Sequence, residues 1–236
     1  MKILRKTATV AAAVVVFALA ALPAPAAALS IPADVVNLGA GWQASWDGSL
    51  HGLVDVNATV VGDTLFIQKF CDFRQGPVNE VIPPILIQFQ QIAYPAAEHI
   101  VIDDEMLINS TGVTWTDFHI ELVDPSGGTV FDPVKTAASG GTGPIGWTVE
   151  PFELAVFSSN LKRLDIWGGQ VPSGTTWFPG DGAHDGQLWI DLTPGPNNSG
   201  YFVLVEQPTT TGIPEPATLS LLALGGLALL KRKRKS

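Results

Sequence analysis

One cysteine, Cys71, occurs in 236 residues, so no disulfide can form within the chain. A small buried side chain is the expected role for that thiol. Basic residues are nearly missing from the middle of the sequence. Eight of the 13 Lys and Arg lie in the first six and last six residues, leaving Lys69, Arg74, Lys135, Lys162 and Arg163. These five face 21 of the 22 carboxylates, a formal charge of −16 between the two ends. Such a surface repels phosphate backbones, which excludes a nucleic-acid partner, and it favours solubility and cations. No apolar run reaches the roughly 20 residues that a membrane-spanning helix needs. Also absent are a Gly-x-Ser-x-Gly elbow, a His-Glu-x-x-His pair and a dinucleotide fingerprint. His51, His99, His119 and His184 are scattered, with no serine or cysteine motif beside them. The expectation is a protein without catalytic activity.

What is present is concentrated first at the two ends. Lys2, Arg5 and Lys6 precede thirteen apolar residues at 10–22, followed by Pro and small residues. This is the order of a secretory signal peptide, predicted over residues 1–28, with the exported chain starting near Leu29. A retained anchor is the alternative, but thirteen residues are short for a span. At the other end, residues 219–230 are apolar or small. A helix of that length reaches only ~18 Å, against a bilayer core of ~30 Å. Pro214 and Pro216 keep the preceding backbone out of a helix. Lys231, Arg232, Lys233, Arg234 and Lys235 would stay on the cytoplasmic side.

The tripartite end, Pro214-Glu215-Pro216, a short apolar helix and a basic terminus, resembles the PEP-CTERM sorting signal of exported bacterial proteins. The same tail also circulates under the label "ice-binding protein C-terminal", which describes the tail and not the passenger. The resemblance implies processing by an exosortase, a membrane-embedded transpeptidase-like enzyme of Gram-negative bacteria, and transient membrane anchoring through residues 219–236. It is associated with biofilm-forming, exopolysaccharide-producing cells. An ordinary single-span tail anchor is the alternative. Residues 207–218 read as a polar, Pro-containing linker.

Between the signals, residues 29–206 suffice for one domain. Short β-type runs alternate with Gly, Pro, Asn and Asp clusters, and helical periodicity is almost absent. This predicts an all-β fold, an antiparallel β-sandwich of jelly-roll or Ig-like type. Two extended runs break at Gly62-Asp63, and a hairpin is expected to turn at residues 109–112. Pro83 and Pro84 put residues 81–91 at a sheet edge or a bulge. The glycine-rich "SGGTGPIG" lacks the Lys-Ser/Thr of a phosphate loop and reads as a connector.

The strand "WTDFHIEL" alternates with period two. Phe118, Ile120 and Leu122 face one side; Trp115, Asp117, His119 and Glu121 face the other. That second face is a candidate ligand surface, for a metal or a sugar, or else a solvated face. The block around it, "IDDEMLINSTGVTWTDFHIEL", resembles a stretch recurring in PEP-CTERM passengers, where it implies a structural hairpin. In "DGAHDGQLWIDL", Asp181 and Asp185 match two positions of a Ca²⁺ loop. Ala183 and Leu192 stand where further ligands belong, which excludes an EF-hand and leaves a looser Ca²⁺ loop open. Asp103, Asp104 and Glu105 read as a solvated edge, because alternating faces separate them unless a bulge intervenes. All seven Trp lie between the signals, and an exposed Trp platform would stack on sugar rings. Trp115 is the first candidate there, then Trp42, Trp46 and Trp177. The function expected is a structural or adhesive component of the envelope or matrix; the alternative is a carbohydrate-binding module for extracellular polysaccharide.

Overall fold

The Gly62-Asp63 break is a two-residue turn, with Gly62 at φ +63° in a position that primed hairpin turns reserve for residues tolerating positive φ. In the computed structural model, which describes residues 34–180, 186–196 and 200–210, this turn joins β3 (Val54–Val61) to β4 (Thr64–Phe73). The elements before them are β1 (Asp34–Gly39) and β2 (Trp42–Trp46). After them come β5 (Ile85–Gln91), β6 (His99–Asn109), β7 (Trp115–Val123), β8 (Val130–Phe131) and α1 (Pro133–Ala138). The chain continues through β9 (Leu154–Phe157), β10 (Arg163–Val171), β11 (Thr176–Trp177), β12 (Leu188–Asp191) and β13 (Tyr201–Thr209).

These strands form a β-sandwich. One sheet runs β1-β2-β5-β13-β7-β10-β9, and the other runs β3-β4-β6-β12-β8 with β11 added on β6. Period-two burial in β13 turns Phe202, Leu204 and Glu206 inward and Val203, Val205 and Gln207 outward. In β4 it turns Leu65, Ile67, Lys69 and Cys71 inward. The inward faces share one apolar core containing Phe89, Phe118, Phe131, Phe202 and Trp147. The short helix α1 starts where the Asp132 carboxylate accepts from the Val134 and Lys135 amides, with Pro133 opening the first turn. Among the described residues no helix is long and apolar enough to cross a membrane.

Three expectations change. The second sheet is mixed, because β4 and β6 pair in parallel. β5 is an interior strand between β2 and β13; Pro83 and Pro84 precede it and leave its ladder intact. The expected hairpin at residues 109–112 is instead a crossing from one sheet to the other, since β6 and β7 do not pair. Asn109 holds this crossing. Its amide donates to the carbonyls of Val113 (2.9 Å) and Val171 (2.8 Å), and its oxygen accepts from the Thr111 hydroxyl (2.7 Å). The Thr111 hydroxyl in turn accepts from the Trp115 indole. The Asn-x-Thr-Gly-x-x-Trp pattern is thus a self-satisfied polar knot beneath a sheet change.

Candidate functional site

The outer face of the seven-stranded sheet carries part of the predicted strip. Asp117, His119 and Glu121 point outward, as alternation requires. His119 Nδ1 lies 2.7 Å from Asp165 Oδ1 and 3.1 Å from Arg163 Nη2, both on β10. Arg163 Nε also donates to Asp165 at 2.6 Å. Burial, followed by the Arg163 charge, holds His119 below its ordinary pKa despite its carboxylate neighbours. Asp117 accepts from the hydroxyls of Thr116 and Thr209.

Trp115 does not join this strip and is fully buried. Its ring meets Phe73 edge-on at 5.1 Å and packs on Phe118. At this end of β7 the ladder is irregular: β10 pairs Trp167 with Asp117 but Val171 with Trp115, which leaves two extra residues on β10. Trp42, Trp46 and Trp177 are buried as well, and Trp42 donates to the Ala97 carbonyl. Only Trp167 and Trp189 are half-exposed, and they belong to different sheets. No two Trp faces form a common platform.

A cleft not anticipated from the sequence opens on the outer face of the other sheet, with a volume of about 280 Å³. Asp55, Asn57, Gln68 and Asp104 line it beside Phe70, Met106 and Phe178. Gln68 donates to Asp104 at 2.9 Å and Asn57 to Asp55 at 3.0 Å. Phe178 is 46% exposed, large for an aromatic ring. The outward polar positions of β3 and β4 were legible in the alternation; the ring from the loop after β11 was not.

Two further groups collect ionisable side chains. Asp63, Glu98 and His99 bring one ligand atom each within 4.8 Å of one another, at the rim where the β3–β4 turn meets β6. The predicted Ca²⁺ ligands Asp181 and Asp185 lie outside the described residues, as do Pro214, Glu215, Pro216 and Lys231 to Lys235. The second group is internal. Lys69 of β4, Glu105 of β6 and Glu206 of β13 meet between the sheets with side chains wholly shielded from solvent. Lys69 Nζ donates to Glu105 Oε1 and lies 2.5 Å from Glu206 Oε1. The Cys71 thiol donates to Glu206 Oε2 at 3.4 Å. Glu105 Oε2 is buried without a hydrogen-bond partner. Burial and then the Glu206 charge push the Glu105 carboxyl up to about 8. Burial pushes the Cys71 thiol up too. Burial opposes the Lys69 charge, but its neighbours outweigh this and hold the ammonium above the ordinary lysine range. The solvated edge expected at residues 103–105 is therefore corrected at Glu105. Ile67 pairs with Ile102 and Gln68 with Asp104, so Asp103 is the extra residue of a bulge. Beyond it the inward phase passes from Ile100 and Ile102 to Glu105, Leu107 and Asn109.

None of these clusters points to a known family, but the end of the chain carries a recognisable motif. Residues 212–235 match the family model of the PEP-CTERM protein-sorting motif. The chain carries a PEP-CTERM sorting motif. That motif implies an exported protein, recognised and processed by an exosortase and directed to the cell envelope or surface. No curated protein and no solved structure matches the chain.

Proposed function

We propose that this PEP-CTERM protein is a non-catalytic structural or adhesive component of the cell envelope or biofilm matrix, anchored in the membrane only until the exosortase removes its tail. The matched motif at residues 212–235 carries the reading. The sandwich supports it, with five of seven Trp turned into the core instead of forming a sugar platform. A helix of about twelve apolar residues falls ~12 Å short of the bilayer, which suits a transient anchor better than a permanent one. The test is the intact mass of the protein recovered from the cell surface. The expected species ends before residue 219, and changing Pro214, Glu215 and Pro216 to alanine retains the tail. Recovery of wild-type chains still ending at Ser236 from cells that possess an exosortase would defeat it.

A second reading is binding of extracellular polysaccharide, and the cleft favours it. Amide and carboxylate groups beside an exposed Phe178 ring are the functional groups that hydrogen-bond and stack on a sugar. A glycan array probed with residues 30–212 separates the two. The structural reading expects no signal; a signal abolished by Phe178→Ala would replace it with the second.

A further inference from the structure

The buried Lys69–Glu105–Glu206 group is unusual in what it asks of the core. Two carboxylates and one ammonium sit among side chains that are 0% exposed: Ile67 and Cys71 flank Lys69, Leu107 follows Glu105 on its face, and Leu204 precedes Glu206. Each ion removed from water costs several kcal/mol, and apolar residues in place of a buried ion pair are often as stable or more so. One ammonium serves both carboxyl groups, so the second has no cation of its own. As a stabilising device the cluster is poor. As a set of reactants it is complete: an amine nitrogen in contact with a carboxyl, a second carboxylate touching the same nitrogen, and all three side chains shielded from solvent.

We propose that Lys69 and Glu105 become joined by an isopeptide bond, with Glu206 managing the protons. The Lys69 ammonium first gives a proton to the Glu206 carboxylate. The neutral amine then attacks Cδ of the protonated Glu105 carboxyl; the N–Cδ bond forms and the bond from Cδ to the hydroxyl breaks. Glu206 passes a proton to the departing hydroxyl and takes one from nitrogen, so one water leaves. The products are a neutral amide, a neutral Glu206 acid and water. No electrons change hands and no co-reactant is needed. Glu105 is the acyl partner because burial and the Glu206 charge keep it a neutral acid near pH 7, and an acid is a better electrophile than a carboxylate. Holding the groups in contact supplies the effective concentration that an intermolecular amine and acid lack. The reaction erases a charge pair that the core otherwise has to contain, and water exclusion protects the product. The bond would cross-link the parallel strands β4 and β6 covalently in a domain whose one cysteine, Cys71, is buried and free.

The experiment is mass spectrometry on the folded, full chain after its termini have been established by sequencing. The expected intact mass lies one water below the sum of its residues. Digestion is expected to leave the Lys69 peptide bond uncut by trypsin and to yield a branched peptide joining the Lys69 and Glu105 segments. Lys69→Arg keeps the cation but cannot form this bond, and its mass is expected to show no loss. A wild-type chain at its full residue mass overturns the proposal whatever the variants do. A lost water that persists in Lys69→Arg, or that maps to Glu206 or Cys71 instead of Glu105, overturns it equally.

Discussion

Asn109 is 0% exposed, and both ends of its side-chain amide are hydrogen-bonded. Replacing it with alanine leaves the Val171 carbonyl without its side-chain donor and the Thr111 amide without its side-chain acceptor, while the Val113 carbonyl keeps the Thr111 hydroxyl. Each buried orphan costs about 1–3 kcal/mol. Asn109→Ala is therefore expected to lower unfolding free energy by at least ~2 kcal/mol in urea titration; a change within ~0.5 kcal/mol would mean the knot is not structural. Trp115 belongs to the same knot. Trp115→Ala is expected to cost about 3–5 kcal/mol through the cavity it leaves, and to leave any glycan binding untouched in chains that remain folded. His119 gives a pH dependence. Its folded pKa lies below the usual 6.5, so the unfolded chain takes up the proton more readily. The groups facing it are Asp165 and Arg163 on β10, Asp117 and Glu121 on its own strand, and neutral Gln207 on β13. Its contribution is fully present above the unfolded value of 6.5 and is lost as pH falls from there through the lower folded pKa. Between about pH 7 and about pH 5 the urea midpoint should fall more steeply in wild type than in His119→Gln; parallel slopes would assign the acid sensitivity elsewhere.

At the scale of the element, the strands follow from local alternation, and their irregularities follow from what they meet. The β3–β4 hairpin was legible because Gly62-Asp63 interrupts two alternating runs. The break in β10 was not, although Gly168 and Gly169 mark it. A Cβ on Gly169 would collide with the Pro151 carbonyl and crowd Phe152, so the close approach of that segment demands glycine. Gly169→Ala is expected to lose about 1–3 kcal/mol and to lower the thermal midpoint accordingly. An unchanged midpoint would show that the segment can move aside at no cost.

Over the whole molecule, the charge of −16 carried by residues 29–206 is unbalanced and self-repelling. Of the five cations there, Lys69 is internal and Arg74, Lys135, Lys162 and Arg163 are engaged with carboxylates. Added salt should therefore raise the thermal midpoint by screening. Ca²⁺ and Na⁺ at matched ionic strength are expected to give the same midpoint. A surplus with Ca²⁺, ~2.7 kcal/mol at a hundred times the dissociation constant, would instead reveal a bound ion at Asp63, Glu98 and His99 or in the loop of Asp181 and Asp185.

The sequence by itself determined the properties that depend on order and composition along the chain. The sorting signal at residues 212–235 is a linear tag, legible because its parts act in series. The all-β class and the inward faces of β7 and β13 follow from period two, which the polypeptide geometry imposes locally. Tertiary structure decided everything that depends on a neighbour's register. It sent β6 and β7 to different sheets and paired β4 with β6 in parallel. It also placed the bulge at Asp103, beyond which the alternation that would have sent Glu105 to solvent carries it into the core. A one-residue slip reverses every side chain beyond it, so the chemistry held between these sheets is set by pairing partners that no single strand encodes.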